Sequence, residues 1–297
     1  MDSQAEISKH LLDATQIDSH LDKLQGEIND LKNELNVLRR RDETLNFYMH
    51  RLDEELRLAA RIQQDFLPKT LPQIGKVHFH TLFRPAGYVS GDIYDVMRLD
   101  ESHIGFYMAD AVGHGVPAAL LTMFIKNAIV TKHIDSSGYR LLSPAEVLAK
   151  LNFLLIQQNL SASTFATAMY GMINVRTHHV TFARGGHPHP LLLKRNQETE
   201  ELVAEGGLMG VFEDEQFPAT TIQLEPGQRL IVYSDGLEVA FADSPEDVNP
   251  LRWREEIARR ADMTTEDLLT DLSMHIDRET GSLAPKDDVT AIIIEIK

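Results

Sequence analysis

The sequence predicts an α+β fold in which antiparallel sheets and clustered helices follow one long N-terminal helix. Apolar residues recur every seven positions over residues 17–66, which indicates the long helix. From residue 77 onward, short apolar or alternating segments bounded by Gly, Pro and Asp outnumber the helical patterns. The helical patterns follow one another instead of alternating with strands, which argues against a parallel βαβ sheet.

The composition limits the classes of function. The chain has 297 residues, of which 43% are apolar, enough for a sizeable core. Its 45 acidic and 29 basic residues give a net charge of −16, so neither nucleic acid nor an anionic membrane is an expected partner. The absence of Cys excludes disulfides, thiolate zinc sites and cysteine nucleophiles. Without a long apolar run or a signal-peptide pattern, we expect a cytoplasmic protein.

The heptad pattern predicts a parallel homodimer through residues 17–66. In a parallel pair, Glu27 faces Lys32 and Glu34 faces Arg39, so both charge pairs are complementary. An alternative is that the apolar stripe packs on the rest of its own chain. The a positions are Leu21, Ile28, Leu35, Asp42, Met49 and Leu56, and the d positions are Ile17, Leu24, Leu31, Leu38, Leu45, Leu52 and Ala59.

The seam weakens toward its C-terminal end, where small Ala59 at d is followed by polar Gln63 at a. We therefore consider residues 56–68 a candidate switch, with a passive linker as the alternative. Pro68 and Pro72 end the helix. We accordingly expect a dimerisation and signalling helix at 1–67 and a second domain at 68–297.

In the first part of the second domain, the sequence predicts strands followed by two helices. Strands are predicted at 77–83, 93–99 and 104–110. One helix is predicted to begin at Pro117. Another begins after a capping box formed by Ser143 and Glu146.

The remainder returns to strands. A hairpin turn is predicted at 176–179 and a loop at 184–188. A compact apolar strand covers 229–233, a helix begins at Thr265, and the last strand covers 289–296.

Acidic residues stand at four places where a predicted strand meets a loop. They are Asp92, Asp110, Asp235 and the pair Asp287–Asp288. Carboxylate oxygens suit Mg²⁺ or Mn²⁺, and two such ions can activate water for attack on a phosphoryl group. Aspartates at strand ends also form turns and helix caps, and the pattern alone leaves both interpretations open.

Five segments resemble the ordered signature blocks of metal-dependent protein phosphatases of the PPM (type 2C) class. They are most similar to the bacterial SpoIIE/RsbU-type branch, and the preceding AARIQQDFLP (59–68) resembles the lead-in of that branch. The blocks are RPAGYVSGDIYDV (84–96), MADAVGHGVPAALL (108–121), FARGGHPHPLLL (182–193), YSDGLEVA (233–240) and KDDVTAIII (286–294).

The resemblance implies a PPM-type β-sandwich of two antiparallel sheets flanked by helices, preceded by the coiled-coil helix. It also implies a protein serine/threonine phosphatase in which two Mn²⁺ or Mg²⁺ ions activate the attacking water. Carried over by block, the metal-binding aspartates are Asp92, Asp110, Asp235 and Asp287, with Asp110 bridging the ions and with Asp110 and Asp92 as the catalytic residues. Ala111 would offer its backbone carbonyl. We prefer Asp287 to Asp288 as the ligand because the family's ligand leads this block.

The resemblance also implies a substrate, a phosphorylated STAS-domain anti-anti-sigma protein in a partner-switching pathway. An alternative is a pseudophosphatase that acts as a dimeric adaptor. Ser90 stands where the family usually has Gly, a departure that removes no ligand. Arg84 is the nearest candidate for a phosphate-binding arginine, and His114 and His187 are candidate proton donors, although satisfied loop histidines are the simpler interpretation.

Overall fold

A computed structural model describes residues 2–136, 138–160, 164–242, 249–279 and 286–297. The chain divides into two compact units, Met1–Arg57 and Leu58–Lys297. The helix α1 (Asp2–Phe66) accounts for the first unit and contributes its last residues to the second. The domain boundary at 67/68 remains a prediction about folding and function.

The second unit contains short strands and five further helices among the described residues. The strands are β1 (Val77–Arg84), β2 (Asp92–Arg98), β3 (His103–Ala111), β4 (Lys132–Asp135), β5 (Gly138–Leu141), β6 (Ala166–Asn174), β7 (His179–Gly185), β8 (Leu191–Leu193), β9 (Thr199–Glu201), β10 (Thr220–Gln223), β11 (Arg229–Tyr233) and β12 (Val289–Ile296). The helices are α2 (Val116–Ala128), α3 (Pro144–Gln157), α4 (Gly236–Ala240), α5 (Pro250–Arg259) and α6 (Thr265–Glu279).

Two five-stranded sheets form the sandwich. The first has the strand order β1-β12-β11-β8-β9 and the second the order β10-β7-β6-β3-β2. Neighbouring strands are antiparallel throughout both sheets. The predicted α+β sandwich of two antiparallel sheets is therefore confirmed.

Apolar side chains fill three layers. The layer between the sheets includes Phe79, Phe106 and Ile294. A second layer packs α2 and α3 against the outer face of the β3-containing sheet, and a third packs α5 and α6 against the other sheet. Strands β3 and β12 are thus buried on both faces, which explains why their sequences are almost continuously apolar.

Several boundaries match the sequence prediction, and others do not. The capping box of Ser143 and Glu146 is present at the start of α3. The predicted loop at 184–188 is wrong at its start, because β7 continues to Gly185. The β4–β5 hairpin and α5 were not predicted from the sequence. The hairpin was missed because its strands are short and largely exposed, so they lack an apolar pattern.

The apolar stripe of α1 is exposed from Leu21 to Leu52 of the predicted seam, whereas Leu56 and Ala59 are partly buried. Leu24, Leu31 and Leu38 are about half exposed or more. The side chain of Ile17, the first predicted d residue, lies outside the described residues. Within the described ranges, no helix combines the length and apolar character needed to cross a bilayer.

Candidate metal centre

The strand ends of one sheet bring Asp92 and Asp110 together. Asp92 begins β2 and Asp110 lies near the end of β3, and the two residues are direct partners in the antiparallel register. Direct partners project from the same face with Cβ atoms about 5 Å apart. The antiparallel register therefore places two carboxylates side by side, although 17 residues separate them along the chain.

The other sheet supplies Asp235 and the Asp287–Asp288 pair at a shared edge. Asp235 follows β11, and the acidic pair precedes β12, to which β11 is antiparallel. The Ser234 N–H donates to the Thr290 carbonyl at 3.0 Å, so pairing continues up to the turn. A Cβ atom on Gly236 would lie 2.0 Å from the Asp288 carbonyl oxygen. Glycine at this position therefore permits the two segments to meet.

Thr290 connects the two sheets at the candidate centre. Its hydroxyl donates to Oδ2 of Asp92 over 2.5 Å, and both side chains are buried. Thr290 was not among the site residues predicted from the sequence. It follows Asp288 by two positions and shares a strand face with Ile292, whose side chain lies between the sheets. A hydroxyl residue on a strand face that is otherwise apolar was the feature of the sequence that could have identified Thr290.

The carboxylates influence one another's protonation. Burial raises the pKa of Asp110 to about 8, with the charges of Asp235, Asp287 and Asp288 adding to the shift. Burial and then the Asp110 charge raise the pKa of Asp92, although hydrogen bonds from Thr290 and Ser234 partly oppose them. The charged groups that raise the pKa values of Asp92 and Asp110 are the neighbouring carboxylates. A bound cation would offset this repulsion.

The donor set fits divalent cations. Oxygen ligands from carboxylates and a backbone carbonyl are those that Mg²⁺ and Mn²⁺ prefer. Across the described residues, no three acidic or imidazole side chains form a closed metal-binding group. The strand register pairs Asp92 with Asp110, and the Thr290 hydroxyl links Asp92 to the other sheet. Gly236 lies against Asp288. The chemistry of this donor set fits divalent cations.

Asp287 and Asp288 have different surroundings. Asp287 is exposed, and its carboxylate accepts a hydrogen bond from the Asp288 N–H at 2.8 Å. Asp288 is buried, and backbone N–H groups occupy both of its carboxylate oxygens. Ala111 lies next to Asp110, and its N–H donates to the Gly91 carbonyl at 2.9 Å. The preference for Asp287 and the role of Ala111 remain predictions.

Gln63 does not occupy the weak seam that the heptad spacing assigned to it. Its side chain is buried within the second unit and pairs with both backbone groups of Ser90. The Gln63 amide donates to the Ser90 carbonyl at 2.7 Å, and its oxygen accepts from the Ser90 N–H at 2.8 Å. The Ser90 hydroxyl accepts from the Asp92 N–H at 3.0 Å. The end of α1 thus contacts the segment that carries Asp92, a long-range contact that heptad spacing cannot reveal.

We expect Gln63→Leu to lower the free energy of unfolding by about 2–4 kcal/mol, because two buried backbone groups of Ser90 lose their partners. Gln64→Leu is the matched control, since Gln64 is exposed and one position away. It should change stability by less than about 0.5 kcal/mol. Urea unfolding of the full chain measures both, and equal stabilities of the two variants would contradict the assigned contact.

The remaining candidate residues from the sequence, His187, His114 and Arg84, differ in their exposure to solvent. His187 is fully buried, and its Nδ1 lies 2.9 Å from the Thr167 hydroxyl. Burial and then Arg184 lower the pKa of His187 to about 3, which is unsuited to proton donation near neutral pH. His114 is exposed and close enough to Asp287 for its charge to oppose the burial that raises the Asp287 pKa. Arg84 contacts Ser273 and Asp277 of α6.

The buried His187 predicts a specific acid sensitivity. Its folded-state pKa of about 3 is below the ordinary value of 6.5, so its stabilising contribution is complete above pH 6.5 and declines as pH falls toward 3. Between pH 6.5 and 5 the decline is about 2 kcal/mol at 1.4 kcal/mol per pKa unit. His187→Asn, which can keep the Thr167 hydrogen bond, should lose less stability over this interval than the unmutated chain.

Urea unfolding in EDTA at pH 7.5, 6.5 and 5 measures this difference. His133→Asn replaces an exposed histidine and should retain the wild-type pH dependence. An identical pH dependence for His187→Asn and the unmutated chain would show that His187 is not held neutral.

Comparison with known proteins agrees with this architecture. The SiaA-PP2C domain of Pseudomonas aeruginosa superposes with a TM-score of 0.69 at 23% identity, covering 84% of this chain and 98% of that domain. RsbX in complex with magnesium gives a TM-score of 0.53 at 18% identity, covering 77% of this chain and 99% of RsbX. The second unit therefore has the PP2C fold.

Sequence comparison identifies the family. The phosphoserine phosphatase RsbU of Bacillus subtilis (strain 168) is 30% identical over 210 residues, which cover 69% of this chain and 61% of RsbU. The chain thus spans less than two thirds of the length of that relative. The family profile described as Stage II sporulation protein E (SpoIIE) matches residues 100–297. The chain therefore belongs to the SpoIIE family.

Proposed function

We propose that this chain is a metal-dependent protein serine/threonine phosphatase. The observation that carries the proposal is the set of aspartates at the edge where the two sheets of a PP2C fold meet, with Asp92 and Asp110 paired in the register and Thr290 joined to Asp92 across the sheets. The names of two relatives support it, because one is a phosphoserine phosphatase and another was solved with magnesium. The proposed cofactor is a pair of Mn²⁺ or Mg²⁺ ions.

The proposed ligands are the side chains of Asp92, Asp110, Asp235 and Asp287 and the carbonyl of Ala111. When bound, two divalent ions supply positive charge that activates water and neutralises the phosphoryl group. Asp110 lies beside Asp92 in the strand register. The charges of Asp235, Asp287 and Asp288 add to its raised pKa. Its carboxylate would therefore be the one to contribute to the binding of both ions. The Thr290 hydroxyl fixes one oxygen of Asp92 and thereby orients its carboxylate.

A phosphatase assay tests this proposal. The full chain should hydrolyse p-nitrophenyl phosphate with Mn²⁺ and lose that activity in EDTA. Absence of hydrolysis at saturating Mn²⁺ would favour the alternative function, a pseudophosphatase that binds a partner as a dimeric adaptor.

The proposed substrate is a phosphorylated STAS-domain regulator of a partner-switching pathway, as the resemblance to the RsbU-type branch implies. Incubation with the phosphorylated STAS proteins of the same cell, followed by mass spectrometry, tests this assignment. Loss of phosphate from one of them with Mn²⁺ would support it. Retention of phosphate on all of them, in a preparation that hydrolyses p-nitrophenyl phosphate, would refute it. The cytoplasmic location and a role in sigma-factor regulation belong to the same proposal.

The exposed stripe of α1 supports the proposed parallel homodimer. A chain without Cys offers a direct test, because an introduced cysteine has only its counterpart to pair with. In a parallel dimer, a cysteine replacing Leu31 at d faces its counterpart at a separation that a disulfide can span. We expect Leu31→Cys to form a covalent dimer on oxidation. Non-reducing electrophoresis after mild oxidation measures it.

Asn33→Cys is the control, since position f points away from the seam. It should remain uncrosslinked, and the unmutated chain should scatter light as a dimer at micromolar concentration. A monomeric chain would mean that the stripe is covered in another way, and a dimer that Leu31→Cys does not crosslink would exclude the parallel register.

A further inference from the structure

Asp288 has contacts that a ligand role does not explain. Its Oδ1 accepts from the Ala86 N–H and its Oδ2 from the Gly91 N–H, both at 2.6 Å. The residue is only 9% exposed. The two donors enclose residues 87–90, which lead directly into Asp92. One carboxylate therefore holds both ends of the segment that delivers Asp92.

The backbone of Asp288 is held as well. Its carbonyl accepts from the Ser234 hydroxyl at 3.3 Å. The same carbonyl lies where a Cβ atom on Gly236 would collide with it, so the turn bearing Asp235 packs directly against Asp288. Asp288 consequently joins three segments of the centre: residues 86–91, the end of β11 and the start of β12.

Asp92 depends on this segment because it is buried and follows the segment directly along the chain. It is the register partner of Asp110, so a shift of residues 86–91 would displace Asp92 from that partner. Hydrogen bonds between a carboxylate and N–H groups are stronger than neutral ones, so the two bonds to Asp288 can hold the segment in place.

We propose that Asp288 is a positioning residue that fixes residues 86–91 and thereby keeps Asp92 aligned with Asp110 for metal binding. It acts without contacting the ions. The inference rests on the proposed metal site but not on hydrolysis of any phosphoester. Loss of a residue that orients a metal ligand typically weakens metal binding 10–100-fold.

The test compares Asp288→Ala, Asp288→Asn and Asp287→Asn in the full chain. Hydrogen–deuterium exchange of a peptide covering residues 84–92 is measured in EDTA, and Mn²⁺ affinity is measured by titration calorimetry. We expect Asp288→Ala to raise amide exchange in this peptide about tenfold or more and to weaken Mn²⁺ binding about 10–100-fold. Asp288→Asn should be intermediate, because its amide keeps one acceptor oxygen.

Asp287→Asn is the matched control. It should weaken Mn²⁺ binding while leaving exchange at 84–92 as in the unmutated chain, since Asp287 accepts no hydrogen bond from that segment among the contacts of the described residues. Circular dichroism establishes whether each variant is folded. If Asp288→Ala is unfolded, the comparison of Asp288→Asn with the unmutated chain tests the proposal.

Two results would overturn the proposal. One is wild-type exchange at 84–92 in the folded Asp288 variants, and the other is faster exchange with unchanged Mn²⁺ affinity. An unmutated chain that binds no Mn²⁺ would overturn it together with the proposed function. A chain that binds Mn²⁺ and shows the expected exchange, yet hydrolyses no phosphoester, would refute only the proposed function.

Discussion

Replacing Asp110 by Asn is expected to reduce Mn²⁺-dependent hydrolysis of p-nitrophenyl phosphate on the order of 1,000-fold. The neutral amide removes the charge that the proposed shared position requires, and a loss of about 4 kcal/mol of transition-state stabilisation corresponds to three decades in rate. Initial rates at increasing Mn²⁺ concentration measure the effect. Asp214→Asn, at an exposed position, should retain full activity.

The same substitution should not unfold the protein. Burial and the neighbouring carboxylates raise the pKa of Asp110 to about 8, so the metal-free chain already favours a neutral group there at pH 7. Asparagine has nearly the same shape and is neutral at every pH. We therefore expect the variant to be as stable as the unmutated chain in EDTA. Undiminished activity of Asp110→Asn at saturating Mn²⁺ would show that Asp110 is not a shared ligand.

Replacing Gly236 by Ala should lower the free energy of unfolding by about 3 kcal/mol. The added Cβ atom would lie 2.0 Å from the Asp288 carbonyl oxygen, a contact that forces backbone to move. Because that movement separates Asp235 from Asp287, Mn²⁺ binding should weaken as well. Urea unfolding in EDTA and titration calorimetry measure the two effects.

Gly87→Ala is the control for this substitution. The nearest atom to its added Cβ would be the Val89 carbonyl oxygen at 3.7 Å, an ordinary contact. It should leave the free energy of unfolding unchanged or raise it by up to about 1 kcal/mol, because alanine has less conformational freedom in the unfolded chain. If Gly236→Ala were as stable as Gly87→Ala, the close approach of the two acidic segments would be wrong.

The sequence predicted the sandwich well because its central strands are buried on both faces. The runs in β3 and β12 could be recognised without knowing their partners, and β12 begins and ends at the predicted residues. The strands of the β4–β5 hairpin were not recognised, because short exposed strands carry little hydrophobic pattern. Elements with one strong periodic signal were thus predicted, and peripheral ones were not.

The candidate site was only partly predictable for a similar reason. An acidic residue at the end of an apolar strand is visible in the sequence, so Asp92, Asp110 and Asp235 could be singled out. Several of the contacts that position them join residues far apart in the chain, such as Gln63 and Ser90, 27 positions apart, and Asp288 and Ala86, 202 positions apart. Such contacts depend on the packed arrangement of the two sheets, and local spacing contains no record of them.

The heptad pattern predicted the exposed seam of α1 only where the helix lies outside the second unit. From Leu24 to Leu52 the apolar stripe remains exposed and available to a second chain. At Gln63 the same spacing continues, but the side chain is buried within the second unit, to which Gln63 itself belongs. A repeat in the sequence therefore does not show where the partner of each position lies, since a folded domain can take over the end of a seam.

The central claim, that these carboxylates hold two metal ions, is tested most directly by anomalous diffraction from crystals of the full chain soaked in Mn²⁺. We predict two anomalous peaks about 4 Å apart among Asp92, Asp110, Asp235 and Asp287, with Asp110 contacting both and Asp288 contacting neither. The absence of ordered Mn²⁺ among these residues, or a single ion that does not contact Asp110, would contradict it.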